Sequence, residues 1–190
     1  MTRSILVTIY CLLFSIAGNG DEARVRAHEL AETRLLAEWV GVPEEQYTLG
    51  NAYYNGSGVP RDHLEAAKWY RLSADQGLAE SRYMLGVLNE RGEGMPPDYI
   101  EAIKWYRVSA DQGYIPAQFE LGNMYALGKG VPQNYAEAYL WFSIAAASGH
   151  EESREERDNF AGKLSHEEIM QAQARAKKMF ENIQQSNPLE

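Results

Sequence analysis

Residues 83–113 read YMLGVLNERGEGMPPDYIEAIKWYRVSADQG, and the chain says nearly the same thing on either side of them. Residues 47–77 are YTLGNAYYNGSGVPRDHLEAAKWYRLSADQG and residues 119–149 are FELGNMYALGKGVPQNYAEAYLWFSIAAASG, a period of 36 residues without a slip. Leu49-Gly50, Leu85-Gly86 and Leu121-Gly122 align, as do Trp69, Trp105 and Trp141, and Gly77, Gly113 and Gly149. A fixed period in this range is the signature of stacked supersecondary units, each of which buries its apolar face against its neighbours.

Each unit reads as two short helices joined by a turn. In the first half apolar residues recur three and four apart (Tyr83, Leu85, Leu88; Phe119, Leu121, Met124, Tyr125), which is one face of a 3.6-residue helix. Glycine follows at Gly56, Gly92 and Gly128, then a second glycine and a proline at Pro60, Pro96 and Pro132, so the first helix cannot continue. The second helix opens on Asp62-x-x-Glu65, Asp98-x-x-Glu101 and Asn134-x-x-Glu137, the pattern of reciprocal capping boxes. Gly50, Gly86 and Gly122 lie inside the first helix, where glycine costs roughly 1 kcal/mol against alanine. Their recurrence implies close helix-to-helix approach, with a facing Trp or Tyr in the space.

The pattern LG-x(5)-G-x-G-V-x-x-D/N-x-x-x-A-x-x-W-Y/F-x(6)-G resembles the Sel-one-like repeat, a relative of the tetratricopeptide repeat, strongly over residues 37–150. The resemblance implies an all-α, right-handed α/α solenoid that holds other proteins together, rather than an enzyme. The sequence departs from the pattern at Asn89, where the other copies have Tyr53 and Tyr125. It departs also from the disulfide-stapled secreted branch of the family, because the repeats lack cysteine.

Taken in order, residues 1–20 have the layout of a signal peptide. Arg3 precedes the apolar run ILVTIYCLLFSIA at 5–17, which ends in small residues. Thirteen residues of helix span about 20 Å, against a hydrocarbon core of roughly 30 Å. Cleavage after Ala17 is therefore expected rather than retention as an anchor, and it removes Cys11, the single cysteine. Residues 21–41 form an N-terminal capping helix with Leu30, Leu35, Leu36, Trp39 and Val40 on its apolar side. Three repeats follow over 42–150, at 42–77, 78–113 and 114–149, with no linkers, so one continuous core is expected. Residues 151–190 are a degenerate repeat, with Arg157-Asp158 in place of Leu-Gly, and a C-terminal capping helix that opens at Ser165-x-x-Glu168.

Composition narrows the class of function. Charged residues make up 24% and hydrophobic ones 45% of the chain, as in a soluble globular protein, and the formal net charge is −9. That balance disfavours nucleic acid and anionic membrane surfaces as partners. With the signal removed, the expectation is a monomeric periplasmic or secreted protein without stable membrane insertion.

Chemistry-bearing constellations are thin. His28, His63, His150 and His166 lack the spacing of a helical metal pair and have no cysteine beside them, so no metal or other cofactor is expected. The Gly-rich turns lack the Lys-Ser/Thr of a phosphate loop. Ser73, Ser109 and Ser143 lie in helix interiors with no histidine at a fixed spacing. The three tryptophans share helix faces with alanines and read as core. Glu90 and Glu120 could face one another as paired carboxylates, which keeps a cell-wall or β-lactam hydrolase as an alternative. A carbohydrate-binding envelope protein, with Tyr54 and Tyr114 as stacking surfaces, is a second.

The stronger signal is what varies between copies. Removing the period leaves equivalent sets on the first helices: Thr48, Asn51, Asn55; Met84, Val87, Arg91; Glu120, Asn123, Leu127. Spacings of three and four put each set on one helical face, away from Leu49, Leu85 and Leu121. In this architecture first helices line the concave side, so these residues are the expected binding groove for a protein or peptide.

Overall fold

The computed structural model describes residues 30–186, and all its regular elements are helical. The signal segment 1–20, the beginning of the N-terminal capping helix and the last four residues lie outside the described part. The described chain is a helix-turn-helix repeat of the solenoid class. First helices are α1 (Pro43–Asn55), α3 (Ala79–Arg91) and α5 (Ile115–Leu127); second helices are α2 (His63–Asp75), α4 (Tyr99–Asp111) and α6 (Tyr135–Ala147). Two further helices follow, α7 (Glu151–Ala161) and α8 (His166–Ser186). The starts of α1, α3, α5 and α7 are one period of 36 residues apart, the spacing read from the sequence.

The sequence led to an expectation of one continuous core. The chain divides instead into two compact units, one up to Leu78 and one from Ala79 onward. The division falls just after Gly77, whose φ of 107° ends the α2 turn. In the first unit a π-helical turn, Leu36–Val40, closes on Gly41 and packs on α1. Ala37, Leu49 and Ala52 form a buried cluster there, with Leu30, Tyr53, Val59 and Trp69 packed around them, and Ala66, Tyr70 and Ala74 are buried as well. Trp39, expected on the apolar side of the cap, is 72% exposed. In the second unit α3 packs on α4 and α5 on α6, around a core that includes Leu121, Met124, Trp141, Phe142 and Ile144.

The glycine inference holds with one refinement. A Cβ at Gly50 or Gly86 would sit 2.6 Å or 2.5 Å from the ring of Tyr70 or Tyr106, and one at Gly122 would sit 2.4 Å from Phe142. The residue in the space is thus the aromatic after each tryptophan, not the tryptophan. Tyr70, Tyr106 and Phe142 are fully buried, whereas of the tryptophans only Trp141 is; Trp69 and Trp105 are half-buried. On a helix the two neighbours point about 100° apart, and the one over the glycine takes the deepest place.

The capping boxes form by half. Asp62 accepts from the amides of Leu64 and Glu65, Asp98 from Glu101, and Asn134 from Ala136 and Glu137. The glutamates do not reach back: Glu65 and Glu101 pair with Lys68 and Lys104, and Glu137 with Arg175. The cap amides are already taken, because the turn returns the chain beside the end of the first helix. Asp62 N–H donates to the Tyr53 carbonyl, Asp98 to Asn89 and Asn134 to Tyr125, at 2.8–2.9 Å. Only Ser165-x-x-Glu168, which has no such returning turn, closes the full box. There the Ser165 amide donates to Glu168 Oε2 at 2.8 Å and the Glu168 amide to Ser165 Oγ at 3.3 Å.

The last hairpin differs from the others. One period after the start of α6 is Gln171, yet α8 begins at His166. Both α7 and α8 pack on α6, with little contact between themselves. The replaced Leu-Gly explains this: without a leucine and a glycine at 157 and 158, α7 cannot seat a partner helix as α3 and α5 do.

Candidate functional site

The predicted groove residues are placed as follows. In the first unit Thr48 is exposed, and its hydroxyl is turned onto its own helix, donating to the Glu44 carbonyl at 2.9 Å. Asn51 is half-buried and accepts the Tyr70 hydroxyl at 2.7 Å, so it serves the close helix contact at Gly50. Asn55 is exposed near the helix end.

In the second unit Met84 is half-buried and Arg91 exposed. Val87, at 5% exposure, belongs to the core cluster and has little surface to offer a partner, which corrects its assignment to the groove. A valine three residues from Met84 turns far enough round the helix to meet its neighbours. Asn123 and Glu120 are half-buried and joined, Asn123 Nδ2 donating to Glu120 Oε2 at 3.2 Å. Leu127 is 63% exposed.

The structure adds residues that the repeat subtraction did not single out. Glu90 on α3 accepts the Tyr106 hydroxyl at 2.9 Å and the Lys129 ammonium at 3.1 Å. Lys129, in the turn after α5, also stands 5.7 Å over the Tyr99 ring. This bridge ties α3 to the turn following α5, and Glu120 lies close enough to Glu90 to feel its charge. Burial pushes the Glu120 carboxyl above the ordinary carboxylate range; the Asn123 hydrogen bond opposes this, and Glu90 adds to it. Burial, reinforced by Glu90, raises the Tyr106 hydroxyl too, so it stays a proton donor to Glu90. The signal for Lys129 was available: the same turn position holds Ser57 and Glu93 in the other copies. Lys129 lies in the turn beyond the end of α5, so a comparison of helix faces does not reach it.

As chemistry this is a binding arrangement. Glu90 is engaged at each oxygen, by a hydroxyl at one and an ammonium at the other. Glu120 keeps acceptor capacity beyond its single bond to Asn123, and Leu127 offers exposed apolar surface. Ser73 and Ser109 are structural, donating to the carbonyls of Pro43 and Ala79, each at 2.7 Å, and so pinning the start of each first helix to its second. The third copy has Ala145 at this position, and Ser143, two residues before it, returns its hydroxyl to the Tyr139 carbonyl. Among the described residues no group of three or more His, Cys, Asp or Glu is placed to hold a metal ion. His150 instead caps α7, its Nδ1 accepting from the Ser153 amide at 3.2 Å. Tyr54 stacks on His63 and Tyr114 packs on Tyr83, so each ring has one neighbour already.

A model of the Sel1 repeat matches residues 46–78, 79–114 and 115–150 in succession. The chain belongs to the Sel1-repeat family. Its three matched copies are the helix pairs α1–α2, α3–α4 and α5–α6. A Sel1 repeat protein from Oxalobacter formigenes is similar to it in structure, with a TM-score of 0.63 and 30% identity, over 69% of this chain and 98% of that one. A protective antigen of uropathogenic Escherichia coli strains, which displays the same repeat fold, has a TM-score of 0.55 and 25% identity. The match covers 95% of this chain and 47% of the antigen, so this Sel1-repeat chain spans about half the antigen's length. No curated protein sequence matches the chain.

Proposed function

We propose that this Sel1-repeat protein is an interaction scaffold that binds a protein or peptide along the exposed face of α3 and α5, the first helices of its second unit. In the second unit that face carries Met84, Glu90, Arg91, Glu120, Asn123, Leu127 and Lys129. The observation that carries the reading is the contrast within near-identical repeats. Positions that build the stack keep one residue or a close substitute, as with Tyr70, Tyr106 and Phe142, while those on this face differ in character from copy to copy and gather charge, amide and exposed apolar surface. A surface serving only solvation has no need of a half-buried carboxyl such as Glu120, whose desolvation costs free energy unless a partner makes use of it. Docking needs several contacts on a rigid support and no bond making, and Ser109, Gly86 and Gly122 supply that rigidity.

The segment 1–20 supports export, and with it a partner in the periplasm or outside the cell. Among the described residues no helix is long and apolar enough to cross a membrane. The test is co-purification from envelope extract, with the natural chain beside a variant carrying Met84→Glu, Asn123→Arg and Leu127→Asp. These three leave Val87 and the rest of the core untouched. A partner recovered with the natural chain and lost with the variant is expected. A partner held equally by both would place the binding surface elsewhere.

A further inference from the structure

We propose that the open end of the repeat array, between α7 and α8 over α6, is a second binding site that takes the C-terminal carboxylate of a peptide ending in an apolar residue. This goes beyond the first-helix face and does not depend on it. A cleft of about 530 Å³ lies there. It exists because the last hairpin stays open: Arg157 and Asp158 replace the Leu-Gly pair, and α8 starts five residues early. Both substituted residues line the cleft.

Its chemistry is two-sided. Ile144 and Ala176, both buried, with Phe180, make an apolar floor, and exposed Ala147 stands at its mouth. Arg157 and Lys177 supply cations at its edge. Arg157 is paired with its own neighbour, Asp158, through Nε at 2.8 Å and Nη2 at 2.7 Å, but both bonds go to one oxygen of a carboxylate that is 65% exposed, so an incoming carboxylate can take its place. Lys177 is 79% exposed and lies 4.0 Å from Glu181. The lining sets two cations against one carboxylate, Asp158, and in a chain of net charge −9 this positive balance over an apolar floor suits an anion with an apolar body.

The wall between them identifies the source of that anion as a peptide. Gln173 Nε2 donates to the Tyr139 hydroxyl at 2.8 Å, leaving the Gln173 carbonyl oxygen able to accept and the Tyr139 O–H able to donate. Ser143 donates to the Tyr139 carbonyl and can still accept. A peptide's terminal amides satisfy these groups, whereas a hydrocarbon tail would cover them without replacing their water.

The test uses the full chain, labelled with nitrogen-15, and follows backbone amide signals during titration with N-acetyl-Gly-Ser-Leu-Phe as free acid, the same peptide as C-terminal amide, and decanoate. The free acid is expected to shift signals of residues 143–147 and 173–180. The amide should bind at least tenfold more weakly, as should the free acid to a chain carrying Arg157→Gln and Lys177→Gln. Ala147→Trp, which fills the mouth from an exposed position, should abolish the shifts, with thermal melting confirming that both variants fold. Equal binding of acid and amide, shifts that survive Ala147→Trp, shifts confined to other helices, or no shift at millimolar peptide would overturn the proposal. So would decanoate binding where the peptide does not.

Discussion

At the scale of single residues, Gly122 makes the sharpest prediction. Alanine in a helix interior gains up to about 1 kcal/mol over glycine in propensity. At Gly122, however, the new Cβ would lie 2.4 Å from a fully buried Phe142 ring, and overpacking of this kind costs about 1–3 kcal/mol. Gly122→Ala should therefore lower stability by chemical denaturation, and a second change, Phe142→Leu, should recover part of the loss. Trp141→Ala should cost about 3–5 kcal/mol, as expected for a fully buried aromatic, and half-buried Trp105→Ala distinctly less. Equal losses would contradict the burial pattern. Glu120 gives a pH dependence. Its folded carboxyl holds a proton more tightly than the unfolded one, so its contribution is most favourable below the ordinary value of about 4.3 and is lost as pH rises through the raised folded value. Glu120→Gln should match or exceed the natural chain in melting temperature at pH 7, with the difference fading toward pH 4. The sequence made the glycines legible because they recur. It could not tell which of two adjacent aromatics goes under them, since both lie within the same apolar arc and only the crossing of the helices decides.

At the scale of helices, the capping motifs divide into two kinds. Asp98→Ala should cost about 1 kcal/mol, because the Glu101 amide loses its only side-chain acceptor, at 2.9 Å. Glu101→Ala should leave that cap intact, since Glu101 pairs with Lys104 and the Asp98 amide is held by Asn89. Glu168→Ala, by contrast, should loosen the start of α8, read as faster amide hydrogen exchange at Ser165. The Ser165 amide holds the Glu168 carboxylate below its ordinary range, so this support is full near neutrality and lost as pH falls through that lowered value. Sequence pattern alone cannot separate the two kinds, because D-x-x-E and S-x-x-E promise the same reciprocal bonds. The difference lies in the preceding Gly-x-Gly-x-Pro turn, which brings a carbonyl of the first helix to the cap. The slip in α8 was likewise half visible: Arg157-Asp158 announced a worn repeat, but not that the hairpin would stay open around a cleft.

At the scale of the whole molecule, the three repeats are alike in sequence yet the chain forms two compact units. A fragment of residues 79–190, with its large shared core, should unfold cooperatively by itself in circular dichroism. The first unit, in which Leu49 and Tyr70 are the large buried side chains, should be the weaker in isolation. A fragment 79–190 that melts without a transition would contradict the division. Periodicity predicted the repeat and its family membership almost completely, because every repeat spends the same residues on the same contacts. It does not separate surface from core among the varying positions, since Val87 varies between copies yet is buried in the core. The central claim, that the first-helix face docks a partner, is tested most directly by photo-crosslinking in the cells that make the protein. A benzoyl-phenylalanine would replace Leu127 on α5 in one chain and Val108 on α4 in another, both exposed in the second unit. The account predicts a discrete adduct from position 127 and none from 108; adducts from 108 alone, or the same adducts from both, would contradict it.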